Sequence, residues 1–264
     1  MILRQLTQAL RRQDWGTVLV EILIVVLGVF IGIQVANWNE WRLERDLEWR
    51  YLTRLEAALS SDIIEHDHAV RLANLRRQRC QLLIRALQEP DVAETSASEL
   101  FDAVVVAGFT YHPVISDAVF QEMVSTGNAR IIRNEDLRDQ IARYYGSIDG
   151  SAQWAYIREH TQLEYMNRRA GVLTPDELRK IELADGTAEF TSEEVLSLIE
   201  RIRQRPSLIE WLPYAESWQL MQSGQYAAHA NAARELRERI REALGADSRT
   251  TSRWSGAAPS GHRT

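Results

Sequence analysis

The run from Val18 to Ala36 constrains this chain more than any other stretch, because only Glu21 and Gln34 in it are strongly polar. As an α-helix it extends roughly 28 Å, close to the hydrocarbon thickness of a bilayer. Trp15 stands just before it and Trp38 and Trp41 just after, where amphipathic rings favour the headgroup layer. We read residues 17–37 as one transmembrane helix, with Trp15, Trp38 and Trp41 as its interface anchors. A cleaved leader has a shorter apolar region, about 7 to 15 residues, ending in small residues. Here the run is longer and closes on Gln34-Val35-Ala36-Asn37-Trp38, so an uncleaved anchor is expected.

The remainder of the 264 residues suffices for one helical domain with a sizeable core. With 31 basic against 37 acidic residues the net charge is −6, which lacks the positive field that nucleic-acid binders use for counterion release. No nucleic-acid partner is expected. Lys180 is the only lysine, which we take as the mark of a GC-rich genome and hence of a bacterium. The single Cys80 excludes an intramolecular disulfide and a cysteine-rich zinc site.

In chain order, residues 1–16 read as an amphipathic juxtamembrane tail, with Leu3, Leu6 and Leu10 on one face and Arg4, Arg11 and Arg12 available to anionic lipid. Those arginines are matched by Arg42, Arg45 and Arg50 beyond the span, so the positive-inside count is close to a tie. Glu40, Glu44, Asp46 and Glu48 tip it toward a cytoplasmic N-terminus and a periplasmic domain of a bacterial inner-membrane protein. Residues 38–89 form a stalk or hairpin, in which Leu43, Leu47, Tyr51, Leu55, Leu59 and Ile63 recur every four residues. Asp62 and Glu65 have the spacing of a capping box, so either a second helix starts there or the first continues to about Gln88. If the chain folds back, the acidic part up to Glu65 complements Arg71, Arg76, Arg77, Arg79 and Arg85; a phosphate-binding basic patch is the alternative.

Residues 90–245 read as a helical bundle. Gly108 closes its first helix, and Ser116 caps a helix that Gly127-Asn128 ends in left-handed geometry. Asn134 and Thr174-Pro175-Asp176-Glu177 start the next ones, Ser192 another, and Pro206 begins the last long helix. Residues 246–264, rich in Ser, Thr, Gly and Arg, are expected to be a disordered tail. No useful strand alternation occurs, so the fold class is all-α: one N-terminal transmembrane helix continuing into a stalk and a soluble helical bundle.

Few residues invite chemistry. On a helix His66 and His68 of Glu65-His66-Asp67-His68 point about 200° apart and do not share a metal, so solvated polar side chains account for them. His229 lies on an apolar stripe as a satisfied core histidine, His112 in a turn, and His160 within reach of an ion pair with Glu159 or Glu164. Ser125 lacks a nucleophile-elbow context. Trp211, Tyr214, Trp218 and Tyr226 read as core packing in preference to a pocket wall. We assign no catalytic, metal or cofactor-binding residue and expect no cofactor.

Val20 to Glu40 behind Trp15, and Ser125 to Arg138 followed by Tyr144-Tyr145, are two stretches that resemble an uncharacterised family of bacterial single-pass membrane proteins with a helical domain of unknown function. The resemblance implies the topology and an all-helical fold; it implies no activity. The expected function is a non-enzymatic scaffold or protein-interaction module, with a membrane-anchored sensor of a small ligand as the alternative and a tethered hydrolase after it.

The expected partners are the lipid bilayer and, through a packing face of the span, a second copy or another membrane protein. Glu21, Gly28, Gly32 and Ala36 share that face, and small residues at this spacing let helix backbones approach closely. Replacing Gly28 and Gly32 together by isoleucine should abolish self-association of residues 1–45 in an in-membrane energy-transfer assay, while the same change at Leu27 and Ile31 should not. Equal signals from both pairs would make the glycines incidental.

Overall fold

The computed structural model describes residues 15–89, 91, 97–152, 155–183 and 188–255, without the side chains of residues 15–18, 149–152 and 246–255. Among the described residues every regular element is helical. They are α1 (Trp15–Gln88), α2 (Ala97–Val106), α3 (Ala118–Ser125), a 3-10 turn (Asn128–Ile131), α4 (Glu135–Ala152), α5 (Ala155–Arg169), α6 (Pro175–Leu183), α7 (Ser192–Arg203) and α8 (Pro206–Ser255). The expected amphipathic tail lies outside the described residues up to 14, as do residues 90 and 92–96 and the end, 256–264, of the tail expected to be disordered. Over 246–255 the backbone continues as helix.

The chain divides into two compact units, residues 1–51 and 52–264. In the first, the apolar part of α1 is a candidate membrane span, with no residue of its most apolar window buried. The second takes in residues 52–89 together with the bundle.

Between Gly32 and Pro90 the sequence contains no glycine or proline, and α1 runs through Ser60-Ser61-Asp62 without a break. The capping-box reading fails for a physical reason. Asp62 is 1% exposed, and its carboxylate accepts hydrogen bonds from the Tyr144 hydroxyl at 3.0 Å and the Ser116 amide at 3.3 Å instead of from its own next turn. Ser60 Oγ donates back to the Glu56 carbonyl at 2.9 Å. Because α1 does not fold back, its acidic and basic stretches meet other helices and not each other. Glu56 pairs with Arg241 at 2.8 Å and Asp67 with Arg234 at 2.6 Å, both on α8. Arg54 pairs with Glu122 of α3 at 2.6 Å, Arg77 with Glu216 of α8 at 3.4 Å, and Arg79 with Glu99 and Asp102 of α2 at 3.0 Å. Two arginines of the supposed phosphate patch are thereby occupied. Half-exposed pairs of this kind contribute at most about 1 kcal/mol each, so they fix register more than they stabilise.

Apolar burial does the larger part. Leu55, Leu59 and Ile63 of the predicted row are buried, as is Leu52 beside it, and the main cluster gathers Leu83, Phe101, Tyr165, Leu198, Ile202 and Leu212 from five helices. Phe101 stacks on Phe190 with ring centroids 3.6 Å apart. Caps predicted from sequence form at two starts: Asn134 Oδ1 accepts from the Leu137 amide at 3.1 Å, and Thr174 and Glu177 exchange capping bonds. At α7 the cap is Thr191, with Glu194 completing the box, and Ser192 is the first helical residue. Before α3 the cap position is Asp117 and not Ser116, whose amide is drawn to Asp62. Gly127 adopts φ 71, the left-handed geometry expected there.

Among the described glycines Gly108 is the most tightly packed, since a Cβ built on it falls 2.1 Å from Tyr165 Cγ and 2.5 Å from Tyr165 Cβ. Those atoms are the rigid root of a side chain that is fully buried and whose hydroxyl donates to the Val104 carbonyl at 2.8 Å. Gly108→Ala should therefore cost about 1–3 kcal/mol or more in urea unfolding. Gly146→Ala, with nothing within 4 Å of its added Cβ inside α4, should instead gain about 0.5–1 kcal/mol. Equal effects at both glycines would contradict this packing.

Candidate functional site

Where α1, α4, α5 and α8 meet the segment joining α2 to α3, a pocket of about 170 Å³ opens. Three of its wall residues are histidines: His66 from α1, His112 from the connecting segment and His229 from α8. Arg158 of α5, Asp117 at the start of α3 and Tyr226 of α8 add charge and a hydroxyl, and Ile115 and Ile148 give it an apolar side.

Solvated side chains were expected at residues 65–68, and His66 overturns that reading, being 1% exposed. Its ring meets that of His229 edge-on with centroids 5.4 Å apart, and neither of its nitrogens has a hydrogen-bond partner. A polar group buried in this way costs free energy until something satisfies it. Burial first, and then the facing His229, push the His66 pKa down from 6.5 to about 4. Burial likewise lowers that of His229. His229 is thus a pocket wall, half-buried, rather than a satisfied core histidine.

His112 is exposed at the pocket's edge, and its Nδ1 lies 2.9 Å from Arg158 Nη2. A guanidinium only donates, so Nδ1 accepts and the proton of the neutral ring sits on Nε2. Burial and the Arg158 charge both hold His112 below its usual pKa. Arg158 itself is 4% exposed. The Tyr226 hydroxyl donates to the Tyr111 carbonyl at 2.6 Å, and the Tyr111 hydroxyl donates to Glu65 at 2.9 Å, fixing the connecting segment against α1 and α8. Asp62 underlies the same region through Tyr144, and burial pushes its pKa up to about 6. The pocket therefore presents neutral imidazoles around one guanidinium and one carboxylate. Among the described residues no group of three His, Cys, Asp or Glu side chains is placed to hold a metal.

The other sequence candidates fall elsewhere. Glu21, Gly28, Gly32 and Ala36 are exposed on α1, as are Trp38 and Trp41, and Trp15 contributes only a described backbone. The Arg45 guanidinium lies 5.0 Å from the Trp41 ring centre. His160 stacks on Tyr156 with centroids 6.1 Å apart, while Glu164 is taken by Arg168 at 3.2 Å, so the expected ion pair gives way to a ring contact. Trp211, Trp218 and Tyr226 are buried and Tyr214 is 51% exposed. Tyr226 serves as both packing and pocket wall. Arg158 and Asp117 escaped the sequence reading, because on their helices nothing distinguishes them from ordinary solvated charges.

A family model described as a family of unknown function, DUF6090, matches residues 21–156. No curated protein and no solved structure matches the chain.

The two shifted groups of α1 respond to acid with opposite sign. His66 binds a proton less readily folded than unfolded, so the stability it confers is complete above pH 6.5 and is lost as pH falls through about 4. Asp62 binds one more readily folded, so its contribution is complete below pH 3.8 and is lost as pH rises through about 6. Between pH 6.5 and 4, His66→Phe should gain stability relative to the parent chain and Asp62→Asn should lose it. Chemical denaturation across that window measures both differences, and parallel curves would refute the assignments.

Proposed function

We propose that this chain, which belongs to the DUF6090 family by a match over half its length, is a single-pass protein of the bacterial inner membrane whose helical domain binds a small ligand. The observation that carries the reading is His66, a buried imidazole with both nitrogens unpartnered on the wall of a pocket that also holds Arg158. A structural histidine in a packed core has its polar atoms satisfied, whereas a binding site keeps such groups waiting. This ranks the sensor reading above the scaffold reading. The scaffold role retains one feature of its own, the small-residue face of Gly28, Gly32 and Ala36, which suits a membrane partner.

Thermal unfolding of the full chain in lipid nanodiscs, screened against small metabolites of every charge class, should yield at least one compound that raises Tm and loses its effect in His66→Phe. Silence across the whole screen would overturn the ligand reading. The orientation is tested separately. A reporter fused after Gly245 should be active as alkaline phosphatase and dark as a cytoplasmic fluorescent protein, and the reverse pattern would place the domain in the cytoplasm.

A further inference from the structure

We infer that the ligand of the histidine pocket is a small uncharged polyol, whose hydroxyls meet His66 and Tyr145 and whose carbons lie against Ile115 and Ile148. This inference rests on the ligand-binding reading above and narrows it to a chemical class.

The charged groups on the pocket wall are already committed. Arg158 lies 2.9 Å from His112 Nδ1 and is engaged elsewhere as well, and the Asp117 carboxylate accepts from the Gln121 amide at 3.1 Å. A charged ligand would shed its water here without a free counter-charge to meet, which is costly. The groups left waiting are neutral. His66 is 1% exposed with both ring nitrogens unpartnered among the described residues, and Tyr145 is 2% exposed with its hydroxyl in the same condition. Burial holds the His66 and His229 imidazoles below their ordinary pKa and the Tyr145 phenol above its own, so at neutral pH all three are uncharged.

Each waiting group asks for both halves of a hydrogen bond. A neutral imidazole has one N–H donor and one bare acceptor nitrogen, and a phenol both donates and accepts. A carboxylate only accepts and an ammonium only donates, so either leaves half of His66 unanswered. A hydroxyl does both from one rotatable atom, and neighbouring hydroxyls on a carbon chain serve two such groups at once. Gln225, also on the wall, adds an amide of the same dual kind. A flat heterocycle gains less. The Tyr145 ring already stacks on Phe120 with centroids 4.8 Å apart, and the His66 and His229 planes meet at 68°, which leaves no slot between them. Size agrees: about 170 Å³, below the roughly 300–1,000 Å³ of a drug-sized site, suits about three to five carbons, with Ile115 and Ile148 as their apolar wall.

The experiment titrates glycerol, erythritol and xylitol into the full chain in nanodiscs and reads the heat of binding, because polyols raise the Tm of proteins in general by exclusion from their surfaces. Glycerate, erythronate and xylonate, each with a carboxylate at one end, and the corresponding terminal amines are the charged counterparts. Propanol, butanol and pentanol are those with a single hydroxyl. We expect at least one polyol to saturate a single site and to bind tenfold or more tightly than its charged or singly hydroxylated counterparts. Tyr145→Phe removes one unpartnered hydroxyl and keeps the ring that stacks on Phe120; it should fold as the parent does and weaken the polyol at least fivefold. His66→Phe should weaken it at least tenfold. A counterpart that binds as tightly as its polyol overturns the polyol class and leaves the ligand reading standing. So does a hit of a charged class in the broader screen with no response to polyols. Polyol binding that neither variant weakens overturns the placement in this pocket. No binding by any compound overturns both readings.

Discussion

Everything in the helical domain depends on one demand: the long helix that carries the candidate span must bury an apolar row along its later turns. Leu52, Leu55, Leu59 and Ile63 have no use for water, and α1 meets no glycine or proline between Leu52 and its end at Gln88. Other helices have to come to it. The charges that flank the row then select which helices and in which register, Glu56 and Asp67 drawing α8 and Arg79 drawing α2. Hydrophobic burial supplies the driving force and the ion pairs supply the discrimination.

The pocket is a by-product of that same docking. Asp62 and His66 lie one turn apart on α1, on the face that points inward, so each must find its satisfaction from another element. Asp62 finds Tyr144 and the Ser116 amide, at the expense of an elevated pKa. His66 finds only the edge of His229. Two polar residues under the same constraint thus end differently, one closed into structure and one left open to whatever enters beside Arg158. That difference separates a buried brace from a binding site.

Period and punctuation made most of the fold legible in the sequence. The four-residue row, the capping residues Asn134 and Thr174, the left-handed Gly127 and the start at Pro206 are local signals, and local hydrogen bonding realises them. What escaped is long-range. Asp62 has the same spacing to Glu65 whether it caps a helix or reaches across to α4, and only tertiary packing chooses between them. His66 and His229 stand far apart in the chain, and a stripe pattern says that a histidine faces inward without saying what it meets there. Arg158 sits on a charged helix among other charged residues, so its burial leaves no trace in composition.

The cations that hold the domain together are guanidinium groups, and the chain's one lysine, Lys180, is itself engaged, 3.2 Å from Glu194 and 4.4 Å from the centre of the Phe190 ring. Arginine cannot be acylated under mild conditions as an amine can. Amine-directed reagents consequently meet a single side chain in the whole sequence, at the contact between α6 and α7. A fluorophore coupled to that side chain, once labelling of the terminal α-amine is accounted for, reports on the contact between those two helices.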